Sequence, residues 1–215
     1  FVERRGLAAP GWFNQQGDLK RQYFFANNQE VVLQAGYTDS GGNVNAAVGV
    51  KVWQFTSNDR FVDAFTPLFS LPDWAHISRS KFTADTSGLE YLGKKDMPLV
   101  DGKIQYGALA PGQYLFRLVV GGAACDVAVT IDDISVYQVF DGEDIYLWAH
   151  NGDEPLSGAK LRVGDDVTAF DKNGCAKIAY NYSPASQLTD PSVWALQIVD
   201  ANINHVVFLD QASLT

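Results

Sequence analysis

Three histidines (His76, His150 and His205) and two cysteines (Cys125 and Cys175) are the side chains of this 215-residue sequence best suited to metal binding or nucleophilic chemistry. Their spacing supports neither. No His or Cys stands at zinc-ligand distance along the chain from another. His150 precedes Asn151 at the end of an apolar run and reads as part of a turn, while His205 opens a strand. Ser157-Gly158 is a turn dipeptide outside any Gly-x-Ser-x-Gly elbow. A Ser/His/Asp set assembled across the fold stays open at this level, because such sets are recognised by geometry and not by order along the chain. The sequence therefore leads us to expect no catalytic, cofactor-binding or metal-binding residues, no cofactor and no enzyme.

Two acidic patterns and the tryptophans carry the remaining chemistry. Asp132, Asp133, Asp141, Glu143 and Asp144 cluster within a short stretch. Several carboxylates together can hold calcium and stiffen a joint, or they can be solvated loop charge with a turn at Asp141-Gly142. Asp171-Lys172-Asn173-Gly174 imitates the start of a calcium loop but lacks the third oxygen residue and the distal Glu, so it reads as a hairpin turn. Trp53 and Trp148, two of five tryptophans, fall inside strand patterns. A carbohydrate platform is one reading; packing in a core or a domain interface is the one the strand setting favours.

Alternation argues against a disulfide. Cys125 shares a face with Val127, Val129 and Ile131, the core side, while Cys175 shares one with Lys177, and Ala176 and Ile178 point the other way. Side chains aimed at different layers rarely meet disulfide geometry, so cysteine usage assigns no redox compartment.

The elements that would position these residues are strands. Hydrophobic content is 47%, charged content 19%, and Gly and aromatic residues are frequent, which suits a globular chain of many short strands. Net charge is −9, too acidic for sequence-blind nucleic-acid binding or for anionic membranes, and no apolar run is long enough to span a bilayer. The sequence begins at Phe1 without a signal-peptide pattern, which suggests a processed product or a fragment.

Residues 1–22 show no clear period and read as a lead-in arm. Strands are expected at Gln29–Tyr37, Val48–Phe55, Leu89–Leu92, Gly102–Ala108, Gly112–Val120 and Ala124–Ile131. In Val48–Phe55, Val48, Val50, Val52 and Gln54 share one face and Lys51, Trp53 and Phe55 the other. Thr56–Asp101, broken by Pro67, Pro72 and Pro98, resists assignment beyond a helical turn within Leu71–Phe82. No segment sustains helical apolar spacing over three turns, which disfavours α/β. After Asp132-Asp133 come Ile134–Phe140, Glu143–Ala149, Gly158–Val163, Asp166–Phe170, Cys175–Tyr180, Val193–Val199 and His205–Asp210, separated by turn signals. Strands at that spacing predict all-β sandwiches, a first over 23–131 and a second over 132–215.

The second half resembles a macroglobulin-type domain of bacterial alpha-2-macroglobulins. Asn151-Gly-Asp-Glu-Pro155-Leu-Ser-Gly-Ala159 is similar to that family's tGkPlxGA turn, Asp171-Lys-Asn-Gly174 to its Asp-x-x-Gly hairpin, and Asn204-His-Val-Val-Phe-Leu-Asp210 to its closing strand. Ala108-Leu-Ala-Pro-Gly-Gln-Tyr114-Leu-Phe-Arg-Leu118 resembles its Pro-Gly-x-Tyr strand. The resemblance covers the second half well and the first half loosely. It implies two Ig-like, macroglobulin-type antiparallel sandwiches in tandem, in a secreted, periplasmic or cell-envelope protein that traps proteases. The partners would be proteases or neighbouring macroglobulin domains. The family's thioester needs a Cys-x-x-Gln motif, which Cys125-Asp-Val-Ala and Cys175-Ala-Lys-Ile do not supply, and no bait stretch is evident. The expectation is a non-catalytic structural and recognition module; the alternative is a cell-surface adhesion or glycan-binding sandwich.

Overall fold

The computed structural model describes residues 11–14, 17–38, 47–71, 75–141, 143–179, 195–200 and 203–208. The expected strand residues 180, 193–194 and 209–210 and residues 1–10, 15 and 16 of the lead-in lie outside these. The chain forms two compact units that interleave in sequence: Phe1–Gln54 with Trp74–Thr130, and Phe55–Asp73 with Ile131–Thr215.

The first unit holds β1 (Gly11–Asn14), β2 (Gly17–Asp18), β3 (Gln22–Phe25), β4 (Glu30–Gln34), β5 (Gly36–Thr38), β6 (Ala47–Gln54), β7 (Glu90–Pro98), β8 (Lys103–Ala108), β9 (Gly112–Val120) and β10 (Ala123–Ile131). They pair as a five-stranded sheet in the order β3-β10-β9-β6-β7, a two-stranded sheet β4-β8 and a three-stranded sheet β2-β1-β5. The expected single strand Gln29–Tyr37 is two strands in different sheets. Ala35, fully buried between them, donates its N–H to Gly102 O at 3.0 Å, outside either ladder. Alternation in β6 is as read: Val48, Val50 and Val52 are buried, and Trp53 lies on the opposite, half-buried face. Tyr106 on β8 meets Phe116 on β9 edge-on at 5.0 Å, so the small sheet closes over the large one.

The Pro-Gly-x-Tyr stretch has a local cause. Gly112 has φ +154, and a Cβ there would stand 3.1 Å from Gln54 Nε2 and 3.4 Å from the Tyr114 hydroxyl. The bare backbone lets Tyr114 fold back and donate its hydroxyl to Ala110 O at 2.7 Å, which pins the loop to the start of β9.

The second unit holds β11 (Ile134–Phe140), β12 (Asp144–Asn151), β13 (Glu154–Pro155), β14 (Lys160–Val163), β15 (Asp166–Ala169), β16 (Cys175–Ala179), β17 (Ala195–Asp200) and β18 (Ile203–Phe208). One sheet runs β11-β12, with β13 and β16 both on the far side of β12; the other runs β15-β14-β17-β18. Ile145, Leu147 and Ala149 of the first meet Leu161, Leu196 and Ile198 of the second, with Leu156, Ala159 and Phe170 closing the ends. That is a sandwich packed face to face.

The second unit also takes α1 (Asn58–Phe69), from the stretch that resisted assignment; a short α2 (His76–Ser80) follows in the first unit, within the expected 71–82. Helical spacing is present after all: Phe61, Phe65, Leu68 and Phe69 fall on one face and are buried. Ser57 caps the helix, its Oγ accepting from Arg60 N at 3.4 Å, and Asp59 places an acid in the first turn. Pro67 sits inside the last turn, where it gives up only the one N–H bond that would reach the Asp63 carbonyl, and the helix stops two residues later. A 12-residue helix is marginal alone; what holds it is aromatic packing. Phe208 of β18 is ringed by Phe69 (4.4 Å, stacked), Phe61 (5.7 Å) and Phe65 (6.3 Å). β17 is accordingly buried on both faces, one by the core and one by α1.

Candidate functional site

Each residue singled out for chemistry has a structural partner or a separate place. His205 is 2% exposed, and its Nδ1 lies 2.7 Å from Asp132 Oδ2. The other Asp132 oxygen accepts from Ile134 N at 3.1 Å, so this carboxylate fastens the entry of β11 to β18. His150 is half-buried on β12, paired in register with Ser135 and Pro155. His76 is the first residue of α2.

The acidic cluster separates into unrelated contacts. Asp141 Oδ1 accepts from Glu143 N at 3.0 Å and Asp144 N at 2.8 Å, closing the β11–β12 turn. These amides hold the fully exposed Asp141 carboxyl below its ordinary range. Asp144 pairs with Lys177 at 2.6 Å. Among the described residues no group of three or more His, Cys, Asp or Glu could hold a metal ion. Asp171 Oδ1 accepts from Asn173 N at 2.8 Å and Cys175 N at 2.9 Å, the hairpin turn expected of Asp-x-x-Gly.

Both cysteines are free. Burial pushes the Cys125 thiol up to about 12, and burial followed by the Asp171 charge raises Cys175. A nucleophilic cysteine needs the opposite shift.

The polar group of greatest electrostatic weight was not singled out from sequence. Asp126 lies on β10 and is 0% exposed. Its Oδ1 accepts Arg117 Nε at 2.7 Å, and its Oδ2 accepts Arg117 Nη2 at 2.8 Å and Ala84 N at 2.7 Å. Arg117 Nη2 also donates to Ala84 O at 2.7 Å, so one backbone residue of the loop after α2 is held by both charges. Arg21 donates to the carbonyls of Asp126, at 3.0 Å, and of Arg79. Burial pushes the Asp126 carboxyl up, and the Arg117 and Ala84 hydrogen bonds pull against that rise. The Arg117 guanidinium lies 5.2 Å over the Trp53 ring, which in turn meets Tyr91 at 5.1 Å. Trp53 is therefore occupied within its own sheet. The carboxylate is saturated by donors and shut from solvent, so the cluster can clamp a loop but cannot accept a substrate proton.

A signal for it does stand in the sequence. Arg117 and Asp126 are single charges inside two apolar runs joined by Gly121-Gly122. Counting outward from a two-residue hairpin loop places them opposite each other.

Trp148 belongs to a different surface. It packs between Tyr137 (6.0 Å) and Tyr146 (6.3 Å, stacked) on the outward face of β11 and β12, and Lys177 lies 5.5 Å over the Tyr146 ring.

No protein-family model matches the sequence, and no curated protein matches it. Solved structures do. The chain is similar to native alpha-2-macroglobulin from Escherichia coli spanning domains NIE-MG1, with 11% identity and a TM-score of 0.59, over 95% of this chain and 99% of that one. It is also similar to the same protein spanning MG0-NIE-MG1, with 11% identity and a TM-score of 0.57 over 94% of this chain; the match spans 64% of that longer chain. The fold is thus all-β and macroglobulin-like.

Proposed function

We propose that the chain is a non-catalytic structural and recognition module of a bacterial alpha-2-macroglobulin-like protease inhibitor, working in the periplasm or outside the cell. The observation that supports it best is the fold match across both units to NIE-MG1 of the E. coli protein. The chemistry agrees: the polar groups at Asp126, Asp132, Asp141 and Asp171 are spent on holding loops and turns. We assign the bodies of two sandwiches to 23–131 and 132–215, with β1 and β2 of residues 1–22 joining the first and α1 contributed across the boundary to the second. Such a module forms part of a wall around a trapped protease, and its partners are proteases and adjoining macroglobulin domains.

The test is to incubate the chain with serine, cysteine and metalloproteases acting on a large protein substrate. The chain alone should neither cleave nor inhibit, because a small surface patch rarely outweighs the entropic cost of association. Substoichiometric inhibition of any protease would reject the reading. The aromatic row Tyr137–Trp148–Tyr146 favours one rival, adhesion through a glycan. A glycan-array signal abolished by Trp148→Ala would install that rival in its place.

A further inference from the structure

Long strands at sheet edges offer unpaired backbone groups, and proteins guard them with charges, proline or cover. Two long edge strands in this chain differ sharply in this respect. β7, at the end of its five-stranded sheet, carries Glu90, Lys94, Lys95, Asp96 and Pro98. β11, Ile-Ser-Val-Tyr-Gln-Val-Phe over 134–140, has no charge, no proline and no glycine. It pairs with β12 along its whole length, and among the described residues no strand pairs with its other side.

The side chains of β11 also describe an unfinished layer. Ile134 and Val136 pack against the core cluster yet remain only partly buried. On the outward face Tyr137 is 67% exposed and Val139 37% exposed. One more strand with apolar residues at alternate positions would cover both rows.

Charge decides what that strand can be. Exposed carboxylates stand at both ends of β11: Asp133 before it, Asp141 and Glu143 after it. Pairing with a second copy of β11, antiparallel about Tyr137, would put Asp133 of each copy opposite Asp141 of the other. Like charges directly opposite are destabilising, so the centred self-pairing, the one that matches the full length of β11, is disfavoured.

We propose that β11 is a docking edge for an extended peptide segment of a partner protein, added antiparallel as a further strand. The segment carries apolar residues at alternate positions and a lysine or arginine at each end, eight positions apart as Asp133 and Asp141 are. This goes beyond the module reading and does not depend on it.

The probe is a fluorescein-labelled synthetic peptide with lysine at both ends of an alternating Val/Thr core, titrated into the whole 215-residue chain by fluorescence anisotropy. Three comparisons accompany it: the same core ended with glutamate, the lysine peptide N-methylated at alternate amides, and the chain variants Val139→Lys and Asp133→Asn/Asp141→Asn, the asparagine at 141 keeping the oxygen that accepts the Glu143 and Asp144 amides. The lysine peptide should bind saturably and weaken with salt, and the glutamate peptide should bind at least about tenfold more weakly. N-methylation should abolish binding, since the ladder hydrogen bonds hold the complex. Val139→Lys should cost about tenfold, and the double carboxylate variant should lose most of the salt dependence. Equal binding of the two end charges overturns the proposal, as does indifference to N-methylation or to Val139→Lys in chains with unchanged circular dichroism. Failure of every peptide to bind, or chain dimerisation without peptide binding, overturns it too.

Discussion

Replacing Asp126 by alanine should be among the most damaging single changes in the first unit. The substitution strands Arg117, whose side chain is 20% exposed, and leaves the Ala84 N–H without its 2.7 Å acceptor. Breaking a buried ion pair from one side costs about 3–5 kcal/mol, and a buried orphan N–H a further ~1–3 kcal/mol. Because Arg117 keeps its bond to Ala84 O and reaches some water, the lower ends apply, about 4 kcal/mol in all. Guanidinium unfolding at neutral pH, followed by tryptophan fluorescence, measures it. The reverse substitution, Arg117→Met, supplies the pH signature. It leaves a carboxyl that burial already pushes above its ordinary 3.8 without its guanidinium. With the folded value raised above the unfolded one, the unfolded state releases its proton first as pH rises. Stability of Arg117→Met should therefore fall from about pH 4 upward, by at most ~1.4 kcal/mol per unit, until the folded carboxyl ionises. Asp126→Leu with Arg117→Met should recover most of the loss, since an apolar pair leaves no buried charge. A loss below about 1 kcal/mol for Asp126→Ala, or no recovery in the double variant, would refute the clamp.

Gly174→Ala should cost clearly more than Gly158→Ala: both glycines have positive φ, but a Cβ at 174 would lie 2.5 Å from Ala149 O, while at 158 it meets nothing within 4 Å. Gly158→Val should cost about 1–3 kcal/mol from backbone strain, read as a drop in melting temperature, and an unchanged midpoint removes that assignment. Phe208→Ala should cost about 3–5 kcal/mol by emptying the space ringed by Phe61, Phe65 and Phe69, and hydrogen exchange should show α1 amides losing protection.

Apolar strands bounded by turn residues were legible: Gly112–Val120 and Ile134–Phe140 have the expected bounds. α1 was not, because phenylalanine favours strands and Pro67 reads as a breaker, whereas the burial of four aromatic and aliphatic side chains on one face holds the helix despite it. Nor does spacing alone reveal that β18, far along the chain, supplies the ring that α1 encloses. The structural roles of Asp171 and the glycines at 158 and 174 were readable because local turn chemistry fixes them. Asp132 reads as one of a cluster in sequence, yet its partner His205 lies 73 residues further along, on β18, and only the fold brings the two together.

As proposed above, the chain works by shape and surface, without covalent chemistry. Intact mass spectrometry after incubation with methylamine, and again with an equimolar active protease, tests it most directly. We expect no methylamine adduct, no chain–protease conjugate surviving denaturation, and both cysteines recovered as thiols, the fully buried Cys125 reacting only once unfolded. Methylamine incorporation at either cysteine, or a covalent protease conjugate, would contradict it.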